Sequence, residues 1–249
     1  MKLAILSDIH ANYEALTACL AHAERQGAQR YAFLGDHLGY GADPHACLDL
    51  IRQHAASGAI VLRGNHDEAA LGGLCANMHP EAREAIVWTR PQLNDEERSF
   101  IAGLPYLMAD ETQGGRLFVH ASADQPGHWT YLLSSPAVEK CLAATDARLI
   151  FVGHVHTPIL YYSTGAGLSS FVPQPGAVVP LSAGRRWVLL VGSVGQPRDG
   201  NPAAAYAILD EEKRELHHHR VAYDWITAAH KIRAAGLPEN LAARLAHGQ

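Results

Sequence analysis

Three short apolar runs separated by two amphipathic stretches fill the first 65 residues, and this alternation restricts the fold more than any other feature of the chain. Residues 2–6 read as a central, buried strand. Asn12 stands where a helix cap belongs, ahead of Leu16, Cys19, Leu20 and Ala23 at helical spacing, and Gly27 stops the helix. Residues 31–34 read as a second strand, Asp43 with Pro44 opens a second helix to about Arg52, and residues 59–62 form a third strand. A β-α-β-α-β order implies parallel strands joined by crossover helices, with ligands held beyond the carboxyl ends of the strands.

Downstream, residues 67–104 read as helical and connecting material punctuated by Pro80, Pro91 and Pro105, and residues 85–93, with Trp88, are expected to pack over the sheet edge. Residues 117–119 form a strand ending at His120. A helix runs from Ser135-Pro136 through Ala144, and residues 148–152 form a strand ending in Gly153-His154-Val155-His156. From Pro158 to Val221 the chain is rich in Gly and Pro, with short alternating segments at 187–191, 203–209 and 215–221 that predict a mostly antiparallel second sheet. Asp224 caps an Ala-rich helix ending near Gly236, and Pro238 starts a last short one. No internal repeat is visible, and the continuous alternation predicts one domain over residues 1–249.

The strand ends carry the chemistry. Asp8, His10, Asp36, Asn65, His120, His154 and His156 supply two carboxylates, one amide and four imidazoles with no thiolate, a set suited to Mn, Fe, Co, Ni or Zn rather than Ca or Mg. Seven donors are too many for one ion; two divalent transition metals sharing Asp36, on the middle turn, fit the count. The Asp8-x-His10 and His154-x-His156 spacings let alternate side chains grip metal from one side of a strand end.

Asp8-Ile9-His10, Gly35-Asp36-x-x-Gly39, Gly64-Asn65-His66-Asp67, His120 and Gly153-His154-Val155-His156, in that order, resemble the calcineurin-like metallophosphoesterase superfamily. The downstream stretch Gly192-Ser193-Val194-Gly195-Gln196-Pro197-Arg198-Asp199-Gly200 is similar to its bacterial phosphodiesterase-like branch. The resemblance implies an α/β fold, a four-layer α/β/β/α sandwich of two mixed β-sheets flanked by helices. It also implies one metal on Asp8, His10, Asp36 and His156 and a second on Asp36, Asn65, His120 and His154. His37, directly after Asp36, departs from the apolar residue expected there.

The expected activity is hydrolysis of a phosphate ester by a phosphodiesterase or small-molecule phosphatase. Two cations roughly 3.5–4 Å apart lower the pKa of a bridging water and hold phosphate for in-line attack. His66 is left free of metal to act as general acid, with Asp67 orienting it or capping a helix. Asn65, Arg63 and Arg198 are candidate substrate contacts, the two arginines beside their structural roles of loop salt bridge and turn support. Competing readings are a non-catalytic module docking partners on its metal face, a dinucleoside polyphosphate hydrolase and a protein phosphatase. The filled donor set and His66 favour the enzyme over the docking module.

Charge and leader signals narrow the setting. A net charge of −5 with pI near 6.3 disfavours a nucleic-acid binder, which needs clustered Lys and Arg. The amino terminus is too short in apolar residues for a signal peptide and no run spans a membrane, so the protein is expected in the cytoplasm. Cys19, Cys47, Cys75 and Cys141 read as small buried apolar residues, and His217, His218 and His219 as a polar strand surface whose rings alternate faces. The sequence carries no signal for oligomeric state.

Overall fold

A computed structural model describes residues 1–73, 78–111 and 115–249. Strand β1 (Lys2–Leu6), helix α1 (Tyr13–Arg25), β2 (Arg30–Phe33), α2 (Pro44–Ala56) and β3 (Ile60–Val61) follow the expected alternation. Asn12 caps α1: its Oδ1 accepts from the Ala15 amide at 3.1 Å. Asp43 precedes α2 without capping it, because its carboxylate takes the Lys231 ammonium instead at 2.8 Å. Helices α3 (Asn65–Ala70), α4 (Pro80–Thr89) and α5 (Asp95–Gly103) come next. The chain continues through β4 (Leu107–Asp110), β5 (Arg116–Val119), α6 (Ser135–Ala143), β6 (Leu149–Val152), β7 (Ile159–Thr164) and β8 (Gly167–Phe171). It ends with β9 (Val178–Pro180), β10 (Trp187–Leu190), β11 (Ala204–Asp210), β12 (Glu215–Val221), α7 (Trp225–Ala234) and α8 (Glu239–Ala243).

Two six-stranded mixed sheets result, ordered β3-β2-β1-β11-β12-β9 and β4-β5-β6-β10-β7-β8. In the first, β1, β2 and β3 run parallel and β11 joins β1 antiparallel; in the second, β5, β6 and β10 run parallel between antiparallel neighbours. Leu3, Ile5, Phe118, Phe151 and Leu189 fill the space between the sheets. Leu16, Cys19 and Ile51 pack α1 and α2 on the outer face of the first sheet, and Val138 and Cys141 pack α6 on that of the second. These are the four layers that the resemblance implies. Arg116, wholly buried on β5, ion-pairs with both Asp110 and Glu211 and so ties one sheet to the turn after β11 in the other. No helix among the described residues is long and apolar enough to cross a membrane.

Three expectations are corrected and one strand is added. The segment after Pro158 does not build the second sheet by itself: β9, β11 and β12 extend the first, and β7, β8 and β10 complete the second. Periodicity reports that a strand is half-buried and says nothing about which sheet buries it. Helix α4 packs Ala82, Ala85 and Trp88 with Ala228, Ala229 and Leu241 of α7 and α8, and Ile86 with Leu38 and Leu48, rather than on a strand. Strand β4 was not foreseen in the sequence. His218 is buried, only 2% exposed, because its side of β12 faces the space between the sheets opposite Ala207; His217 and His219 lie on the other side, half-buried against α1. Cys19, Cys47 and Cys141 are buried free thiols, and Cys75 lies outside the described residues.

Candidate metal centre and its cleft

The carboxyl edges of β1, β2 and β3 meet those of β5 and β6, and backbone hydrogen bonds close the seam. After β1, the amides of Asp8, His10 and Ala11 donate to the carbonyls of Gly35, Asp36 and His37 at 2.9–3.0 Å. The Asp8 carboxylate accepts from the His154 amide at 3.0 and 3.1 Å, joining the first sheet to the second. A Cβ at Gly153 would fall 1.9 Å from Ser7 Oγ, so glycine is required where these loops touch. Five of the strand-end residues, Asp8, His10, Asp36, His154 and His156, have φ between 51 and 64°, a left-handed backbone that non-glycine residues hold only when their surroundings dictate it.

Ring orientation decides what this cluster accommodates. His10 Nδ1 lies 3.0 Å from the Leu38 carbonyl and His156 Nδ1 2.7 Å from the Gln196 carbonyl. A carbonyl only accepts, so both Nδ1 atoms carry hydrogen and each neutral ring is left with a bare Nε2. Those two Nε2 atoms face each other at 3.0 Å. Two lone pairs at that distance repel unless a cation lies between them, and burial, the largest influence on both rings, pushes them away from accepting a proton. A metal ion satisfies the pair. Asp8 Oδ1 completes the grouping 3.3 Å from His156 Nε2, and Asp36 Oδ2 lies 3.8 Å from His10 Nε2.

The second grouping repeats this logic. His120 Nδ1–H donates to the Leu34 carbonyl at 3.0 Å, which aims Nε2 at Asn65 Oδ1, 3.1 Å away, and at Asp36 Oδ2, 3.4 Å away. His154 Nε2–H donates to the Trp129 carbonyl at 3.0 Å, leaving Nδ1 bare. The donor atoms of Asp8, His10, Asp36 and His156 lie within 4.8 Å of one another, as do those of Asp36, His120 and His154, so Asp36 is common to both. Burial would raise Asp8 and Asp36, yet the imidazoles around them hold both carboxyls below the usual range. Burial would likewise lower His120, but the charge of Asp36 outweighs it and raises the ring to about 9.

His66 is placed apart from the donor groupings, its ring 4.8 Å from that of His10 and 4.6 Å from that of Tyr40, with Nδ1 unpartnered. Burial pushes it down to about 4. Asp67 does not orient it. One Asp67 oxygen accepts from the His37 and Leu38 amides at 2.9 and 3.2 Å and the other caps α3 by accepting from Gly64 N at 2.9 Å, so the carboxylate clamps the loop after β2 to the start of α3. The unexpected His37 turns away from the donors and donates Nε2–H to the Leu62 carbonyl at 2.9 Å. Arg63 is held by Glu68 at 2.9 Å, by the Leu104 carbonyl and over the Tyr106 ring, away from the cluster. Arg198 lies on the cleft, donating to Tyr40 Oη at 3.1 Å and to Gln196 Oε1 at 2.9 Å. That cleft, of about 300 Å³, opens over Asn65, His66 and His154 and is walled by Tyr40, Trp129 and Tyr131.

The sequence profile of calcineurin-like phosphoesterases matches residues 1–158, the span that contributes every one of these donors. The chain belongs to the calcineurin-like phosphoesterase family. It is 38% identical to a metallophosphoesterase from Sphaerobacter thermophilus whose crystal structure superposes with a TM-score of 0.88, covering 100% of this chain and 99% of that one. It is 35% identical to the uncharacterized protein MJ0912 of Methanocaldococcus jannaschii over 99% of this chain and 98% of that one. The hypothetical protein PH1004 of Pyrococcus horikoshii shares the fold at a TM-score of 0.80 with 21% identity, over 100% and 98% of the two chains.

The phosphoesterase cleft also uses residues that sequence reading passed over. Tyr40 packs at a tilt against both His10 and His66, and an aromatic between Gly39 and Gly41 on a donor-bearing turn was the available signal. Tyr131 stacks on His154 with ring centroids 3.9 Å apart. Gln196 and Trp129 orient His156 and His154 through main-chain carbonyls, which any residue type supplies, so that part of their role has no side-chain signal.

Proposed function

We propose that this phosphoesterase hydrolyses phosphoric esters, as a phosphodiesterase or small-molecule phosphatase, with two divalent transition-metal ions (Mn, Fe, Co, Ni or Zn). Asp8, His10, Asp36 and His156 hold one and Asp36, Asn65, His120 and His154 the other. The pair of bare Nε2 atoms 3.0 Å apart on His10 and His156 carries this reading, since a cation relieves their repulsion. Bound there, the ions would supply a nucleophilic water at neutral pH and neutralise phosphate charge. The carbonyls of Leu38, Gln196, Leu34 and Trp129 each take one ring N–H and keep the other ring nitrogen turned inward. His66, on the cleft wall beside the donors, serves the leaving-group oxygen. Burial disfavours the charged ring, and the negative charge of a bound phosphate acts in the opposite direction, favouring the imidazolium that donates the proton. Tyr40, Trp129 and Tyr131 bound a space sized for a small ester.

Elemental analysis is expected to find close to two transition metals per chain, and chelation to abolish ester hydrolysis until metal is restored. Asp36→Ala should lose both ions and Asn65→Ala chiefly one. Undiminished turnover after complete metal removal would refute the mechanism, and loss of a single ion from the Asp36 variant would refute the shared ligand.

A further inference from the structure

A second cavity of about 200 Å³ adjoins the cleft, lined by Tyr40, His79, Glu81, Arg198 and Arg244, and Tyr40, His79 and Arg198 line both spaces. Its two guanidinium groups share one neutral oxygen: Gln196 Oε1 accepts from Arg198 Nη2 at 2.9 Å and from Arg244 Nη1 at 3.4 Å, and Arg198 Nη2 also donates to Tyr40 Oη at 3.1 Å. Like charges gathered on one amide oxygen repel, and among the described residues no carboxylate pairs with either. Glu81, the one acid lining the cavity, accepts from Asn240 through Oε1 at 2.9 Å, while its buried Oε2, 3.8 Å from His79 Nδ1, has no hydrogen-bond partner. The Nε of each arginine is buried without a hydrogen-bond partner. Planar, fixed N–H groups of this kind match the oxygens of phosphate or carboxylate.

The position of this cavity ties it to the reacting centre. Tyr40 links the two spaces: the Arg198 guanidinium lies 5.5 Å from its ring centroid, and the His10 and His66 rings lie 4.5 and 4.6 Å from it. Gln196 reinforces the connection, because its carbonyl holds His156 while its side chain holds both arginines. Resting on the hydrolase reading above, we infer that Arg198 and Arg244 form a subsite for a second anionic group of the substrate, a phosphate or carboxylate one ring's width from the scissile phosphate. The preferred substrates are therefore esters carrying two anionic centres. Arg244, on the short helical turn after α8, is the specificity residue that the amino-terminal motifs do not contain.

The test compares two chromogenic esters, the p-nitrophenyl ester of thymidine 5′-phosphate with and without a 3′-phosphate. Alongside, calorimetry on the metal-loaded protein compares thymidine 3′,5′-bisphosphate with thymidine 5′-monophosphate. Wild type is expected to favour the doubly anionic member at least tenfold in kcat/KM and in affinity. Arg244→Ala and Arg244→Gln, checked for unchanged thermal unfolding, should bring both ratios near one, and Arg244→Lys should restore part of the preference. Equal treatment of the two members by wild type, no binding of the bisphosphate, or a preference that survives both neutral variants would overturn the subsite. A calorimetric preference that Arg244→Ala removes, in a protein that turns over neither ester, would support the subsite while refuting the hydrolase.

Discussion

At the scale of single residues, His66 and Gly39 form a matched pair. A Cβ at position 39 would fall 2.3 Å from His66 Nδ1, and Gly39 has a φ of +83° that disfavours any side chain. Glycine there leaves the ring room to face the cleft. His66→Gln is expected to lower kcat/KM for an alkyl or nucleotide ester by about 10²–10⁴, the span of a positioned acid, and for a nitrophenyl diester far less, because nitrophenolate leaves without a proton. Gly39→Ala should give the same signature by displacing the ring, with metal content preserved in both variants. A leaving-group series with parallel metal analysis checks this; equal losses across the series would take His66 out of the acid role.

At the scale of elements, β12 carries a destabilising residue. Neither ring nitrogen of His218 has a hydrogen-bond partner, and burial, with Arg220 and His219 adding to it, pushes the ring from its ordinary 6.5 to about 3. The folded chain thus binds fewer protons than the unfolded chain between those values. The resulting stability is fully present above pH 6.5 and is lost as pH falls toward 3. His218→Leu, which fills the space without an unsatisfied polar group, should raise unfolding stability by roughly 1 kcal/mol at pH 8. Denaturant titrations should show a larger gain at pH 5. The loop between β10 and β11 illustrates the opposite situation, since a Cβ at Gly195 would lie 1.9 Å from the Ile9 carbonyl and Ser193 Oγ donates to the Asp8 carbonyl at 2.9 Å. Its Gly-Ser-Val-Gly sequence is the shape of the floor beneath Asp8 and His10.

At the scale of the whole molecule, the candidate metal centre joins the two sheets, with potential donors from β1, β2 and β3 ends on one side and from β5 and β6 ends on the other. Ions that bind only the folded chain stabilise it, by about 2.7 kcal/mol for each site at a hundredfold excess over Kd. Manganese titration followed by scanning calorimetry is therefore expected to raise Tm by roughly 5–10 °C per filled site for a chain of this size. Asp36→Ala should flatten the response, and a wild-type Tm indifferent to metal would show that ions do not fasten the two sheets.

The sequence by itself determined which residues stand at strand ends and what donors they offer: an apolar run followed by Asp-x-His, Gly-Asp or Gly-Asn-His-Asp states both facts locally. It also determined the cap at Asn12 and the alternation that makes the first strands parallel. Tertiary structure alone decided which strands share a sheet, because β1 and β11, some two hundred residues apart, pair through backbone groups that carry no residue identity. It decided that Asp67 serves the amides of His37 and Leu38 rather than the His66 ring, and that Arg63 belongs to Glu68 and Tyr106. It set the tautomers of the four imidazoles through carbonyls at positions 34, 38, 129 and 196. A side chain announces its chemistry in the sequence, whereas its partner is chosen by the long-range burial that brings two sheet edges together.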